Sequence, residues 1–329
     1  MIAIGATGIG SLPGTDPTLA LSMVFGEDLD TPYLPELPAR GPGADMVGRA
    51  AARLVDLPVE LSVGRWRLAS HGGMDLRRAN DFWRWGLDAL QEVADGYAGP
   101  LKVALCGPWT LAAMLELPNG NVVLTDPGAV RDVHASQLEG AQALLGEIAS
   151  RVPGAQPILQ LDEPMLPAVL AGQVKSASGY SRLPAVAEQT AEQAFAEYVD
   201  GLDAPVVVHS CAADVPYAIL QRAGVGAALV DAALITSAQY DAIGEAVDRG
   251  LQLVLGVLDP KQTPTPARVD AAAARAREIA TIVAIPADRR AELLGISPAC
   301  GLAGATAANA LAITKATRQV AQQLRNQPE

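Results

Sequence analysis

Eight short apolar runs alternate with segments of helical composition along this 329-residue chain. The runs fall at 2–10, 31–38, 101–105, 158–161, 206–211, 226–234, 251–257 and 293–298. The main helical segments fall at 44–55, 80–97, 126–150, 183–202, 237–249, 269–283 and 307–325. Strictly alternating strands and helices build a parallel sheet, because each return to the same edge needs a crossover helix. Eight such units in this length predict an α/β fold, a (β/α)8 TIM barrel forming one domain over 1–329. Residues 59–68 alternate apolar and polar types, which predicts a small hairpin insertion around 56–72. Asp126 and Pro127 have the residue types of an N-cap and a first helical position. Trp83 and Trp85 are too close in sequence to share a helix face, so one at most is core. His134 falls within a helix and is expected on the surface or in packing.

Composition narrows the function. Half of the residues are hydrophobic (50%), enough for a large core, and only 4% are aromatic. With a net charge of −12 and no basic stripe beside aromatic residues, neither nucleic acid nor an anionic membrane is an expected partner. No uncharged apolar run reaches the length of a membrane span, and the first residues lack the pattern of a secretory signal. Three cysteines are an odd count and too few for a disulfide framework. Reduced thiols and a cytoplasmic location are the expectation.

The polar residues are not scattered. Ser11, Glu36, Asp162, His209, Cys211, Asp231 and Cys300 all lie at or near the C-terminal ends of the expected strands. In a barrel those ends converge on one mouth, where active sites of the fold lie. His209 and Cys211 are two apart, so in a strand they project to the same face. Taken alone, the pair is equally a buried strand that ends in a His and a small Cys. With Cys300 from the last strand it makes an N/S/S set, and Asp231 can add an oxygen. Such ligands with one labile position describe catalytic zinc.

Five motifs in order carry a resemblance. They are Gly10-Ser11-Leu12-Pro13, Gly107-Pro108-Trp109-Thr110, Asp162-Glu163-Pro164, Val208-His209-Ser210-Cys211 and Cys300-Gly301-Leu302. In this order they resemble the cobalamin-independent methionine synthases, and more narrowly their catalytic C-terminal barrel standing alone. The implied fold is the barrel shared by uroporphyrinogen decarboxylase and methionine synthase. The resemblance implies zinc ligation by His209, Cys211 and Cys300, with Asp231 standing where the family has a Glu. It assigns Asp162 to the amino group of homocysteine and Ser11 to a backbone contact with the amino acid. Two stretches depart from the family. Its His-Gly-Glu is replaced by Glu36-Leu37-Pro38, so Glu36 stands in as the second carboxylate for the ammonium. Its Asp-x-His acid machinery is Asp259-Pro260-Lys261 here, with Lys261 in place of His.

The function this resemblance implies is a zinc-dependent methyltransferase that moves a methyl group to the thiol of homocysteine, forming methionine. The donor would be methyltetrahydrofolate or a methylcorrinoid. One alternative is a related zinc thiol-alkyltransferase acting on another thiol, such as coenzyme M. Another is a metal-binding partner of a methyl carrier with little turnover. A decarboxylase of the uroporphyrinogen type fits less well, since that chemistry uses no His-x-Cys zinc site.

Overall fold

The computed structural model describes residues 4–326. A two-stranded antiparallel hairpin, β1 (Val59–Ser62) and β2 (Arg65–Leu68), occupies the expected insertion. The main sheet is parallel and six-stranded, in sequence order: β3 (Gly99–Cys106), β4 (Ala155–Asp162), β5 (Val206–Ser210), β6 (Ala227–Asp231), β7 (Gln252–Leu258) and β8 (Leu294–Pro298). Helices connect successive strands. These strands are buried along nearly their whole length, as expected where helices cover a parallel sheet.

The first two expected strands are corrected by the structure. Residues 4–12 and 31–36 are extended, but they form isolated parallel bridges rather than strand ladders. Ala6 bridges Ile296 of β8, Thr7 bridges Thr31, Ser11 bridges Glu36, and Tyr33 bridges Lys102 of β3. Pro32 and Pro35 have no N–H to give, so 31–38 cannot sustain a continuous ladder. Gly5, at φ 55, interrupts the extended backbone of the first segment. The hydrogen bonds that remain still link one sheet edge to the other. They include Thr7 N–H to Ile296 O (3.0 Å), Thr31 N–H to Ala6 O (3.1 Å) and Lys102 N–H to Pro32 O (2.9 Å).

Helix boundaries follow local chemistry. The segment expected at 44–55 is helical only over Met46–Ala51, capped by the Asp45 side chain. The one expected at 80–97 starts earlier, as Met74–Val93, directly after Gly72-Gly73. Trp83 is buried on it and Trp85 is 46% exposed, as two neighbours on a helix must differ. Asp126 caps Pro127–Arg151, accepting from the N–H groups of Gly128 and Ala129. His134 on that helix is buried and meets Trp109 edge to face at 4.9 Å. Among the described residues no helix is long and apolar enough to cross a membrane.

One packing contact gives a test. Gly140 lies mid-helix, where alanine normally stabilises. A Cβ there would sit 1.9 Å from the backbone oxygen of Arg53. Gly140→Ala is therefore expected to destabilise by about 1–3 kcal/mol, as overpacking does. A lower thermal midpoint is the expected reading, and a raised one would show that propensity outweighs the contact.

The two faces of the sheet have different tasks. Side chains such as Val206, Val208, Ala228, Val230, Leu253 and Leu255 belong to the large core shared with the helices. Alternate residues on the other face, Ile158, Val207, Ala227, Leu229 and Val254, form a separate apolar cluster with Ile4 and Ile9. Continuing by twos toward the strand ends, that second face becomes polar. Ile158 is followed by Gln160 and Asp162, Val207 by His209 and Cys211, and Leu229 by Asp231. An apolar floor thus carries a polar mouth.

Candidate metal centre and substrate pocket

His209 lies in β5 directly opposite Asp162 of β4 in the strand register. Its Nδ1 is 3.0 Å from the Leu229 carbonyl of β6. A carbonyl only accepts, so Nδ1 carries a proton and Nε2 is turned away from that partner. Cys211 follows β5, and Cys300 lies just past β8. Their sulfurs are 3.4 Å apart, and one ligand atom from each of His209, Cys211 and Cys300 lies within 4.8 Å of the other two. The hydrogen bond from Cys211 and that from His209 draw the Cys300 thiol down to about 4, against the opposing effect of burial. The same contact, with burial, pushes Cys211 up. An imidazole nitrogen and two sulfurs make the donor set of a soft or borderline metal ion. The cluster can hold a metal ion.

Asp231 ends β6 on the wall of the same cavity but outside that trio. Its Oδ1 accepts the Ala233 N–H at 2.9 Å. Burial raises its carboxyl, and the nearby Cys300 and Asp259 charges add to the rise. The cavity, about 750 Å³, is also lined by Asp259, Lys261 and Arg275. Asp259 accepts from the Lys261 backbone N–H and from Gln262 Nε2, each at 2.9 Å. It shapes its own turn, and Lys261 is exposed beside it.

Ser11, Glu36 and Asp162 do not line that cavity. The Ser11 carbonyl accepts Leu302 N–H at 2.8 Å, and a Cβ at Gly301 would strike Ser11 Oγ. Any larger residue at 301 would force the Ser11 hydroxyl to turn away. Asp162 is 6% exposed and takes Gln160 Nε2 on Oδ1 at 2.7 Å. Burial raises its carboxyl, while His209, Gln160 and Lys102 work against the rise. Glu163, its neighbour, points elsewhere. It accepts from Trp109 N–H (2.9 Å), Thr110 N–H (2.8 Å) and Thr110 Oγ1 (2.6 Å), capping the turn at Pro108–Met114. Adjacent carboxylates at a strand end thus split into a site residue and a cap. Glu36 is buried and paired with Arg49 Nε at 2.9 Å. Burial lifts Glu36 to about 7 although Arg49 opposes it, and Arg49 in turn stacks over Trp83 at 3.8 Å. The structure therefore gives Glu36 a cation of its own.

The sequence reading missed Arg49, Lys102 and Gln160. Lys102 was visible as a charge inside the apolar run Leu101-Lys102-Val103, and Gln160 as the i−2 neighbour of Asp162.

A six-stranded parallel sheet with an imidazole and two thiols clustered at its C-terminal ends defines an α/β protein with a cluster that can hold a metal ion. Comparison gives the family. The model of the cobalamin-independent synthase catalytic domain matches residues 91–323, and the chain belongs to that family. Membership implies a methyltransferase. Among solved structures, the fold is similar to a B12-independent methionine synthase from Shewanella sp. W3-18-1, determined in complex with selenomethionine. The TM-score is 0.64 at 13% identity, over 98% of both chains. A GH5_18 protein from Streptomyces cattleya, in complex with Manb1-4GlcNAc, gives a TM-score of 0.46 at 14% identity, over 98% of this chain and 80% of that one. A psychrophilic family 10 xylanase gives 0.44 at 8% identity, over 97% of both chains. Scores at that level carry no argument about function. No curated protein matched the sequence.

Proposed function

We propose that this protein is a zinc-dependent methyltransferase that transfers a methyl group to the thiol of homocysteine, giving methionine. The observation that carries the reading is the placement of one ligand atom each from His209, Cys211 and Cys300 within 4.8 Å of one another, one strand from the buried carboxylate Asp162. His209, Cys211 and Cys300 would hold zinc, with Asp231 on the cavity wall as the candidate fourth ligand. Zinc bound there supplies a Lewis acid that keeps a thiol deprotonated at neutral pH, where a free thiol with pKa about 8.5 is mostly protonated. Asp162 holds the substrate ammonium, and Ser11 forms the backbone wall facing the amino acid. The thiol gives up its proton, its sulfur forms the new bond to the methyl carbon, and the donor leaves with the electron pair of the broken bond. Asp259 and Lys261 line the cavity where the donor would lie, and we assign proton transfer to the leaving donor to them. Selenomethionine in the Shewanella synthase is consistent with a thioether amino acid as product.

We read the two bridged segments, 4–12 and 31–36, as the first two strands of a (β/α)8 barrel making a single domain. A cytoplasmic location fits three free cysteines. A second reading is favoured by one observation. Arg49 already occupies Glu36, which leaves Asp162 as the carboxylate for an ammonium and makes a thiol without an amino group, such as coenzyme M, a competitor. Methionine formation from homocysteine decides between them. Zinc-loaded protein would be supplied with methyl-folate mono- or polyglutamate, or with methylcobalamin. Product with at least one donor is expected. No methionine with any of them, alongside alkylation of another thiol, would overturn the homocysteine assignment.

A further inference from the structure

Beneath Asp162 lies a polar chain that none of the roles above uses. Lys102 is fully buried in β3. Its Nζ donates to the Ile9 carbonyl at 3.1 Å and to Gln160 Oε1 at 2.5 Å. It also stands 5.3 Å from the centre of the buried Tyr33 ring. The Gln160 amide is buried too, and its Nε2 donates to Ile9 O at 2.8 Å and to Asp162 Oδ1 at 2.7 Å.

The amide has no choice of orientation. Ile9 O only accepts, so the nitrogen must face it. Lys102 presents N–H donors, so the oxygen must face Nζ. Both neighbours therefore place an N–H, never a C=O, against Asp162 Oδ1. A donor there favours the ionised carboxylate, whereas an acceptor would favour the protonated acid. Oδ2 has no hydrogen-bond donor among the described residues. One oxygen is thus fixed and the other is left for a ligand.

We propose that Gln160, clamped by Lys102 and the Ile9 carbonyl, is a positioning residue that fixes one oxygen of Asp162 and leaves the other free, and so makes the site select thiols that carry an ammonium group. This rests on the reading that Asp162 receives the amino group of the thiol substrate. Gln160 itself touches no substrate and acts through Asp162.

The test compares homocysteine with 4-mercaptobutanoate, which is the same thiol without the amino group. Two variants keep it independent of folding. Gln160→Glu leaves Lys102 a partner but removes the N–H that holds Asp162 Oδ1. The double variant Lys102→Met with Gln160→Met removes both members of the buried pair, a replacement that is often nearly neutral for stability. In each variant KM for homocysteine is expected to rise about tenfold or more, the size of one lost hydrogen bond to a charged group. Bound zinc, kcat and the kcat/KM for 4-mercaptobutanoate should stay within about twofold, since nothing that handles the thiol has changed. An equal fall for both thiols would mean a merely structural role and would overturn the proposal, as would an unchanged KM for homocysteine. A wild-type protein that prefers homocysteine while both variants keep that preference overturns this inference alone. A wild-type protein indifferent to the amino group overturns the Asp162 reading with it.

Discussion

Cys300→Ser should leave the protein almost without zinc, and Cys211→Ser should do the same. A serine hydroxyl is not deprotonated near neutral pH, so each change removes one of two anionic donors from a set of three. Elemental analysis of the purified wild type should give about one zinc per chain, and of either variant less than about a tenth. His209→Ala should reduce occupancy less completely, because both sulfurs remain. Asp231→Ala is the informative contrast. Its oxygen is already engaged by Ala233 N–H, and it lies outside the three-atom cluster, so zinc content should fall only modestly. Full occupancy in both cysteine variants would remove the metal assignment. Zinc loss in Asp231→Ala as severe as in Cys300→Ser would make Asp231 a full ligand, brought in by movement of its loop.

Asp162→Asn should leave zinc in place and cost the protein most of its affinity for homocysteine. The substitution keeps size and shape and removes the charge. Truncating one partner of a buried, hydrogen-bonded charge pair costs about 2–5 kcal/mol, and with Asp162 only 6% exposed the middle of that range is expected. KM for homocysteine should therefore rise by about three-hundredfold. Isothermal titration with homocysteine, on protein whose zinc content has been checked, measures this directly. Unchanged affinity with full zinc would show that the ammonium sits elsewhere. Glu36→Gln provides a comparison with a different cause. It strands the buried Arg49, which lies over Trp83, so its larger effect is expected on thermal stability.

Much of this was legible in the sequence, for reasons that can be named. Apolar runs buried on both faces read as strands of a parallel sheet without alternation, and those from β3 to β8 were found in place. Asp126 with Pro127 marked a helix start because the cap and its N–H partners are local. The clustering of His209, Cys211 and Cys300 was legible because strand periodicity puts His209 and Cys211 on one face, and the end of β8 brings Cys300 to the same edge. The first two strands were less so. Their apolar content resembles a ladder, but Pro32 and Pro35 subtract donors, and only pairing partners far along the chain reveal how much remains. The interior polar residues were least legible. Lys102 is made tolerable by Ile9 and Gln160, the latter 58 residues away in sequence, and no local pattern announces such a partner. The same holds for Glu36, whose chemistry depends on a guanidinium thirteen positions on.

The contact of Gly301 and Leu302 with Ser11 also dictates a schedule. Cys211 and Cys300 are 89 residues apart, and the loop bearing Cys300 is seated on Ser11. During synthesis the cluster of His209, Cys211 and Cys300 cannot be completed until Cys300 has been made. An ion that needs all three side chains would therefore load only after that point. The contact of Leu302 with Ser11 closes a long loop, and contacts of large sequence separation slow folding. An ion that binds only the joined form would hold it shut by mass action.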